Sequence, residues 1–293
     1  MPRARQSRQR RRLSLVGALV LVLLPISLVA CSAAEPTSPA LPDGLVTSIQ
    51  QGRMDVEARQ LVVRVENTTA APVTVEHLAF TAPALEGELA YDDPFELSAG
   101  EAIAIRIDIP ESRCDVPSAP GTVELAVVTG AGSATGTLTP DDPFDTLVRL
   151  NNADCLAESV AAVAEITMPE HLRSTGSGTD RRAIIDVQVT PVTSGSASML
   201  LEQVPNTTLL GNEAGAEWPL GIEVAAGGEP FTIELPVAPA RCDAHAIADD
   251  KRGTIMAFDI TTSDGRAGRI DRPSGDTLKA ELYAYYGERC GLQ

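Results

Sequence analysis

The sequence predicts an all-β protein: two tandem β-sandwich domains related by internal duplication, behind an export leader and a short tether. Three observations predict it. Apolar and polar residues alternate in short runs such as Ile103-Ala104-Ile105-Arg106-Ile107-Asp108-Ile109, the period-two pattern of half-buried strands. Glycine and proline, 23 and 21 residues respectively, punctuate these runs at short intervals, as turns require. One ordered series of landmarks occurs twice along the chain, the signature of a repeated unit.

The series begins with Gly100-Glu101, which recurs as Gly228-Glu229. The alternating strand Ile103–Ile109 then meets Phe231–Val237, and Arg113-Cys114-Asp115 meets Arg241-Cys242-Asp243. Further on, Gly121–Leu138 aligns without gaps on Gly253–Ile270, Asp145-Thr146-Leu147 on Asp276-Thr277-Leu278, and Cys155 on Cys290. The expected boundaries are a leader at 1–30, a tether at 31–43, a first copy at 44–156 and a second at 157–293.

Within the copies, Leu61–Val65 and Pro72–Phe80 read as strands around an Asn67-Thr68-Thr69 loop. Gly121–Leu138 reads as a hairpin, because its duplicate carries Asp264-Gly265 at the centre, a strong short-range hairpin signal. Pro236 suggests that the strand Phe231–Val237 lies at an edge. No stretch after residue 44 shows a persuasive helical stripe. Leu156–Ile166 comes nearest and equally well opens the second copy as a strand. Tyr283, Tyr285 and Tyr286 are read as a terminal strand packing its aromatic face beside Cys290, or alternatively as a ligand-facing cluster. A strand ending in Asn67-Thr68, then Pro72-Val73-Thr74-Val75, then Leu97-x-x-Gly100-Glu101 before a long strand resembles bacterial Ig-like or fibronectin-III-like accessory domains. That resemblance implies Ig-like sandwiches, although the antibody-type Cys–Trp–Cys order is absent, since Trp218 precedes both cysteines of its copy.

Of five cysteines, Cys31 stands apart. The other four allow three pairings, and the duplication selects Cys114–Cys155 and Cys242–Cys290, one bond inside each copy. No Cys-x-x-Cys occurs, which disfavours a redox or metal role.

Residues 1–30 hold six arginines, all within 1–12, and no acid, and an apolar run from Leu13 to Ala30 follows the basic stretch. A basic segment, an apolar segment and a small exit residue describe an export signal. The exit Leu28-Val29-Ala30-Cys31 resembles the lipobox of bacterial lipoproteins. That resemblance implies cleavage before Cys31, a diacylglyceryl group on its sulfur, acyl chains such as palmitate, and a place on the extracytoplasmic face of the cell membrane. An uncleaved membrane anchor is the alternative, against which Pro25 and the abrupt polarity after Ala30 weigh. Arg11-Arg12 leaves general and twin-arginine export both open. Ser32–Asp43, with Pro36, Pro39 and Pro42, reads as a tether reaching ~37 Å when extended. The 21 arginines against two lysines, Lys251 and Lys279, are the usage that high-GC bacterial coding produces, as in Gram-positive actinobacterial lipoproteins.

The formal net charge is −17. With the six leader arginines removed, 17 basic residues face 40 acids, a net of −23. Such a surface is repelled by phosphate backbones, so no nucleic-acid partner is expected.

Asp92-Asp93-Pro94-Phe95 and Asp141-Asp142-Pro143-Phe144 repeat a motif followed by an acid, Glu96 or Asp145. Asp92, Asp93, Asp141 and Asp142 are weak cation candidates, set against the ordinary use of Asp-Pro to start turns. Cys242-x-x-His245 has a spacing that zinc uses, but the first copy has no histidine near Cys114. The glycines of Gly130–Gly136 lack the following helix of a phosphate loop. Gly176-Ser177-Gly178 lacks the strand-to-helix elbow of a hydrolase, and three scattered histidines, His77, His171 and His245, outline no triad. No cofactor is implied. The expectation is a lipid-anchored, non-catalytic binding or interaction module with an envelope protein or glycan as partner. The alternative is an accessory or ligand-binding subunit of an envelope transport or wall-synthesis complex, and less readily an envelope enzyme.

Overall fold

A computed structural model describes residues 39–248 and 250–292. The leader, the lipobox and Cys31 lie outside the described residues. Ser38–Gln293 form one compact unit that contains two hydrophobic cores.

The first half runs β1 (Leu45–Gln50), α1 (Arg53–Glu57), β2 (Gln60–Asn67), β3 (Val73–Thr81), β4 (Leu89–Tyr91), β5 (Phe95–Leu97), β6 (Ala102–Asp108), β7 (Thr122–Thr129), β8 (Gly132–Leu138) and α2 (Thr146–Ala161). The second half runs β9 (Ala164–Thr167), β10 (Arg173–Thr175), β11 (Arg182–Pro191), β12 (Ser198–Pro205), β13 (Leu210–Asn212), β14 (Glu217–Ala225), β15 (Phe231–Pro239), α3 (Ala244–Ala248), β16 (Ile255–Thr262), β17 (Ala267–Pro273) and α4 (Asp276–Arg289).

All strand pairs are antiparallel, and each half is a two-sheet sandwich. In the first, β1-β2-β6 covers β4-β3-β7-β8, with β5 also paired to β3. In the second, β10-β11-β15-β13, with β9 beside β11, covers β14-β12-β16-β17. Alternation decides the inner faces: Leu61, Val63 and Val65 of β2, Ile105 and Ile107 of β6, and Leu78, Phe80, Val123 and Leu125 of the opposite sheet share one core. The second core holds Ile185, Val187, Leu235 and Val237 from one sheet and Leu201, Met256, Phe258 and Ile260 from the other. Each such fully buried side chain contributes about 1.5–3 kcal/mol. The all-β sandwich read from the alternation is therefore the observed architecture. Both hairpins stand where expected, β7–β8 and β16–β17, the second turning at Gly265 with φ +88°.

Two stretches read as non-helical are helices. Residues 276–289 form α4 rather than a terminal strand. Its apolar residues Leu278, Leu282, Tyr285 and Tyr286 fall at i, i+4, i+7 and i+8, all buried, which is the stripe of a helix packed on one side. Residues 146–161 form α2. Leu147 and Leu150 enter the first core, whereas Leu156 and Val160 enter the second. At ~100° per residue these two pairs are centred ~130° apart around the helix, on different faces. The boundary expected at 156 therefore falls inside a helix that both cores share.

β15 lies between β11 and β13, but β13 pairs it only over 237–239, so Pro236 has a strand on one side only, and its carbonyl accepts from Trp218 Nε1 at 2.8 Å. The chain also joins the fold earlier than a tether ending at residue 43 would imply. The Pro39 carbonyl accepts from the Thr135 N–H at 3.3 Å, and Leu41 packs on the first core over Gly136, where a Cβ would come within 2.9 Å of it.

Candidate functional site

A cavity of about 750 Å³ forms an open groove beside the β1-β2-β6 sheet. Alternation sends Leu45, Thr47 and Ile49 of β1 inward, and Gln50 outward. Gln50 pairs with Val62 of β2, which in turn pairs with Arg106 of β6. Val62 is only 2% exposed although it belongs to the outer face, and it lines the groove. One wall is the turn Gln50-Gln51-Gly52 with α1; the other is Phe144, Asp145 and Arg149 at the start of α2.

Two hydrogen-bond sets fix these walls. Asp55 accepts from the Gly52 N–H at 2.8 Å and from Arg106 Nε at 2.8 Å, which locks α1 to the sheet. Burial pushes the Asp55 carboxyl up, but Arg106 and the Gly52 N–H outweigh it and hold it below its ordinary value. On the other wall, Asp142 accepts from the backbone N–H groups of Thr146 at 2.7 Å and Leu147 at 3.0 Å, satisfying first-turn donors that a helix otherwise leaves free. Asp145 takes a left-handed conformation, φ +51°, which aspartate tolerates. Arg149 Nε donates to the Phe144 carbonyl at 2.8 Å.

Two basic and two acidic side chains, Arg106, Arg149, Asp55 and Asp145, line the groove, so its charge is balanced on a strongly acidic chain. The elements that wall it also carry exposed apolar side chains. Among the described residues the exposed large hydrophobics are Val46, Met54, Val56, Phe144 and Val148. Met54 and Val56 flank Asp55 on α1, Phe144 lines the groove at 58% exposure, and Val148 lies one turn further along α2. Exposed apolar side chains on the elements that wall a groove are a usual mark of an interaction surface. A smaller cavity of about 310 Å³, lined by Ile49, Ser118, Pro120, Asp141, Leu147 and Val148 among others, adjoins it.

The cysteines pair as the duplication indicated, Cys114 with Cys155 and Cys242 with Cys290. That leaves no free thiolate for the Cys242-x-x-His245 spacing, and His245 instead contacts Asp243 at 3.2 Å. Asp142 is a helix cap. Asp141 forms a short parallel bridge with β1, its N–H donating to the Thr47 carbonyl at 2.9 Å. Asp92 contacts His77 Nδ1 at 2.6 Å, and Asp93 is exposed. Among the described residues, no group of three or more His, Cys, Asp and Glu is placed to hold a metal ion. Gly130–Gly136 lies in the β7–β8 hairpin. Gly178 donates its N–H to Glu288 at 2.6 Å. Tyr285 and Tyr286 are fully buried. Tyr283 donates to Asp250 at 2.8 Å, and burial, together with that carboxylate, pushes its phenol up to about 12.

Sequence reasoning missed Phe144, Arg149 and the Asp55–Arg106 pair. Phe144 was visible only as the last residue of a repeated turn motif; its counterpart Phe95 packs against the first core, so the motif alone does not single it out.

No protein-family model matches the chain, and no curated protein matches it in sequence. Among solved structures, it is similar to red sea bream transglutaminase at 9% identity and TM-score 0.23, over 80% of this chain and 32% of that one. It is also similar to the YadV chaperone, at 14% identity and TM-score 0.20, over 74% of this chain and 93% of that one. A third similarity is to CBD12 from CALX1.2, at 13% identity and TM-score 0.22, over 78% of this chain and 80% of that one. The chain thus spans about a third of the transglutaminase's length, and likenesses this low carry no functional argument.

Proposed function

We propose that this chain is a lipid-anchored envelope protein that acts by non-catalytic docking, with the groove between α1 and α2 as its binding surface. The observation that carries the reading is an open, charge-balanced groove lined by the exposed Phe144, with Met54 and Val56 exposed on α1 and Val148 exposed on α2. Exposed apolar side chains at and beside the groove favour a protein partner over a glycan. Two disulfides suit a chain that works outside the reducing cytosol. No helix of the described residues is long and apolar enough to cross a membrane, and the lipobox-like Leu28–Cys31 supplies the anchor in this account.

The geometry suits presentation away from the bilayer. The chain enters the first half near Pro39 and Gly44, and β1 then runs five residue steps to Gln50, about 17 Å at strand rise, before it reaches the groove.

Photo-crosslinking in cells tests this. With a photoreactive residue replacing Phe144, capture of a specific envelope protein is expected. The same probe at Thr137, exposed on β8, is expected to capture none. Equal capture from both positions, or none from either, would overturn the reading.

A further inference from the structure

The two halves supply an internal comparison for the groove. β1 and β2 correspond to β9 and β11, since β2 pairs with β1 and β6 while β11 pairs with β9 and β15. Helices α2 and α4 correspond through their cysteines. The connections differ. In the first half, residues 51–59 link the two strands; in the second, residues 168–181 do so, five residues more.

In the second half this longer connection carries the extended β10, paired with β11, and is fastened to the helix on either side of it. Glu281 of α4 accepts from the Leu172 N–H at 2.6 Å and contacts His171 Nδ1 at 2.9 Å. Glu288 accepts from the Gly178 N–H at 2.6 Å and from Arg181 at 2.7 Å, and Arg289 donates to the Thr179 carbonyl. In the first half only the far end is fastened: Asp154 of α2 accepts two bonds from Arg59, at 2.9 and 2.8 Å. Among the described residues, no hydrogen bond or ion pair joins Phe144–Arg149 to the 50–58 turn and α1. The groove is that unfastened space.

Resting on the docking reading above, we infer that the groove seats an extended polypeptide segment of a partner protein, laid between α1 and α2 and fastened there much as residues 168–181 are fastened to α4. The side chains suit a peptide backbone. Asp145 is exposed, with no hydrogen-bond partner for its carboxylate among the described residues, and accepts a backbone N–H as Glu281 does. Gln50 and the outer nitrogens of Arg149 donate to carbonyls. Phe144, which lines the groove, covers an apolar side chain. The balanced charge of the groove selects a segment without a strong net charge.

The test uses the purified mature chain with both disulfides intact and, as probe, a phage-displayed library of linear peptides. Enriched peptides are expected to slow amide exchange at residues 50–57 and 144–149. They are expected to lose affinity at least about tenfold, a hot-spot-sized effect, in both Phe144→Ser and Arg149→Glu. Both side chains are exposed, and unchanged melting of the variants establishes that they fold. No enrichment, peptides that bind both variants equally, or oligosaccharides from an array that bind the groove instead would each overturn the inference. If the Phe144 crosslink nevertheless captures a protein in cells, the docking reading stands and only the extended-segment inference fails.

Discussion

Asn151 and Tyr286 occupy the same place in the two halves. Each lies four residues before the helix cysteine, and each donates to the carbonyl of the arginine that precedes the partner cysteine: Asn151 Nδ2 to Arg113 at 3.3 Å, and the Tyr286 hydroxyl to Arg241. A polar side chain one turn from the disulfide thus closes each Arg-Cys-Asp loop onto its helix. Tyr286→Phe removes this hydroxyl, which also accepts from the Asp243 N–H at 3.2 Å, and is expected to lower stability by about 1–2 kcal/mol. Asn151→Ala is expected to cost about 1 kcal/mol. Urea unfolding of each variant against wild type measures both.

The disulfides close loops of 41 and 48 residues, each contributing about 3–4 kcal/mol by chain-entropy reasoning. From Leu147 to Cys155 is eight residues and from Leu278 to Cys290 is twelve. The four extra residues are close to one helical turn, so the cysteine keeps its face. Replacing Cys242 and Cys290 together by alanine is expected to lower the urea midpoint substantially while leaving the first-half disulfide in place. Peptide mapping without reductant verifies the remaining bond.

Asp154 makes stability depend on acid. Burial alone would raise its carboxyl, but the bonds from Arg59 and Ser112 outweigh burial and hold it below its ordinary value. A carboxyl depressed by folding stabilises the protein above its unfolded value, ~3.9, and that contribution is lost as pH falls through the folded value. Asp154→Asn is therefore expected to be less stable than wild type at pH 7 by about 1–2 kcal/mol, a modest figure because Arg59 is half-exposed. The difference is expected to shrink below pH ~4. Denaturation curves across that range check the sign.

Asp142→Ala removes the acceptor for two first-turn N–H groups of α2 and is expected to cost about 1 kcal/mol. Because the carboxylate already serves the helix, millimolar Ca²⁺ is expected to leave the melting temperature of wild type unchanged. A calcium-dependent rise that Asp142→Ala abolishes would restore the cation reading of the Asp-Asp-Pro-Phe motif.

Strands, hairpins and cysteine pairing were legible because each depends on local alternation, a turn dipeptide or the repeat. The helix α4 was legible in principle: Leu278, Leu282, Tyr285 and Tyr286 give the right spacing. However, three tyrosines in four positions raised β propensity and drew the reading toward a strand. For α2 no single stripe exists, because Leu147 and Leu150 face one core and Leu156 and Val160 the other. The aromatic wall of the groove could not be read, since Phe144 and Phe95 share a motif and only the fold exposes one of them. Val62, apolar and buried on an outward-facing position, is a residue whose alternation breaks in β2, and that break is the one trace the groove leaves in the sequence.

The anchor is the claim on which the rest hangs, and it rests on one sulfur. Mass spectrometry of the N-terminal peptide of the protein extracted from cells tests it directly. The account predicts a chain that begins at Cys31 and carries diacylglycerol on that residue. An unbroken peptide spanning Leu28 to Ser32, or an unmodified Cys31 thiol, would contradict it.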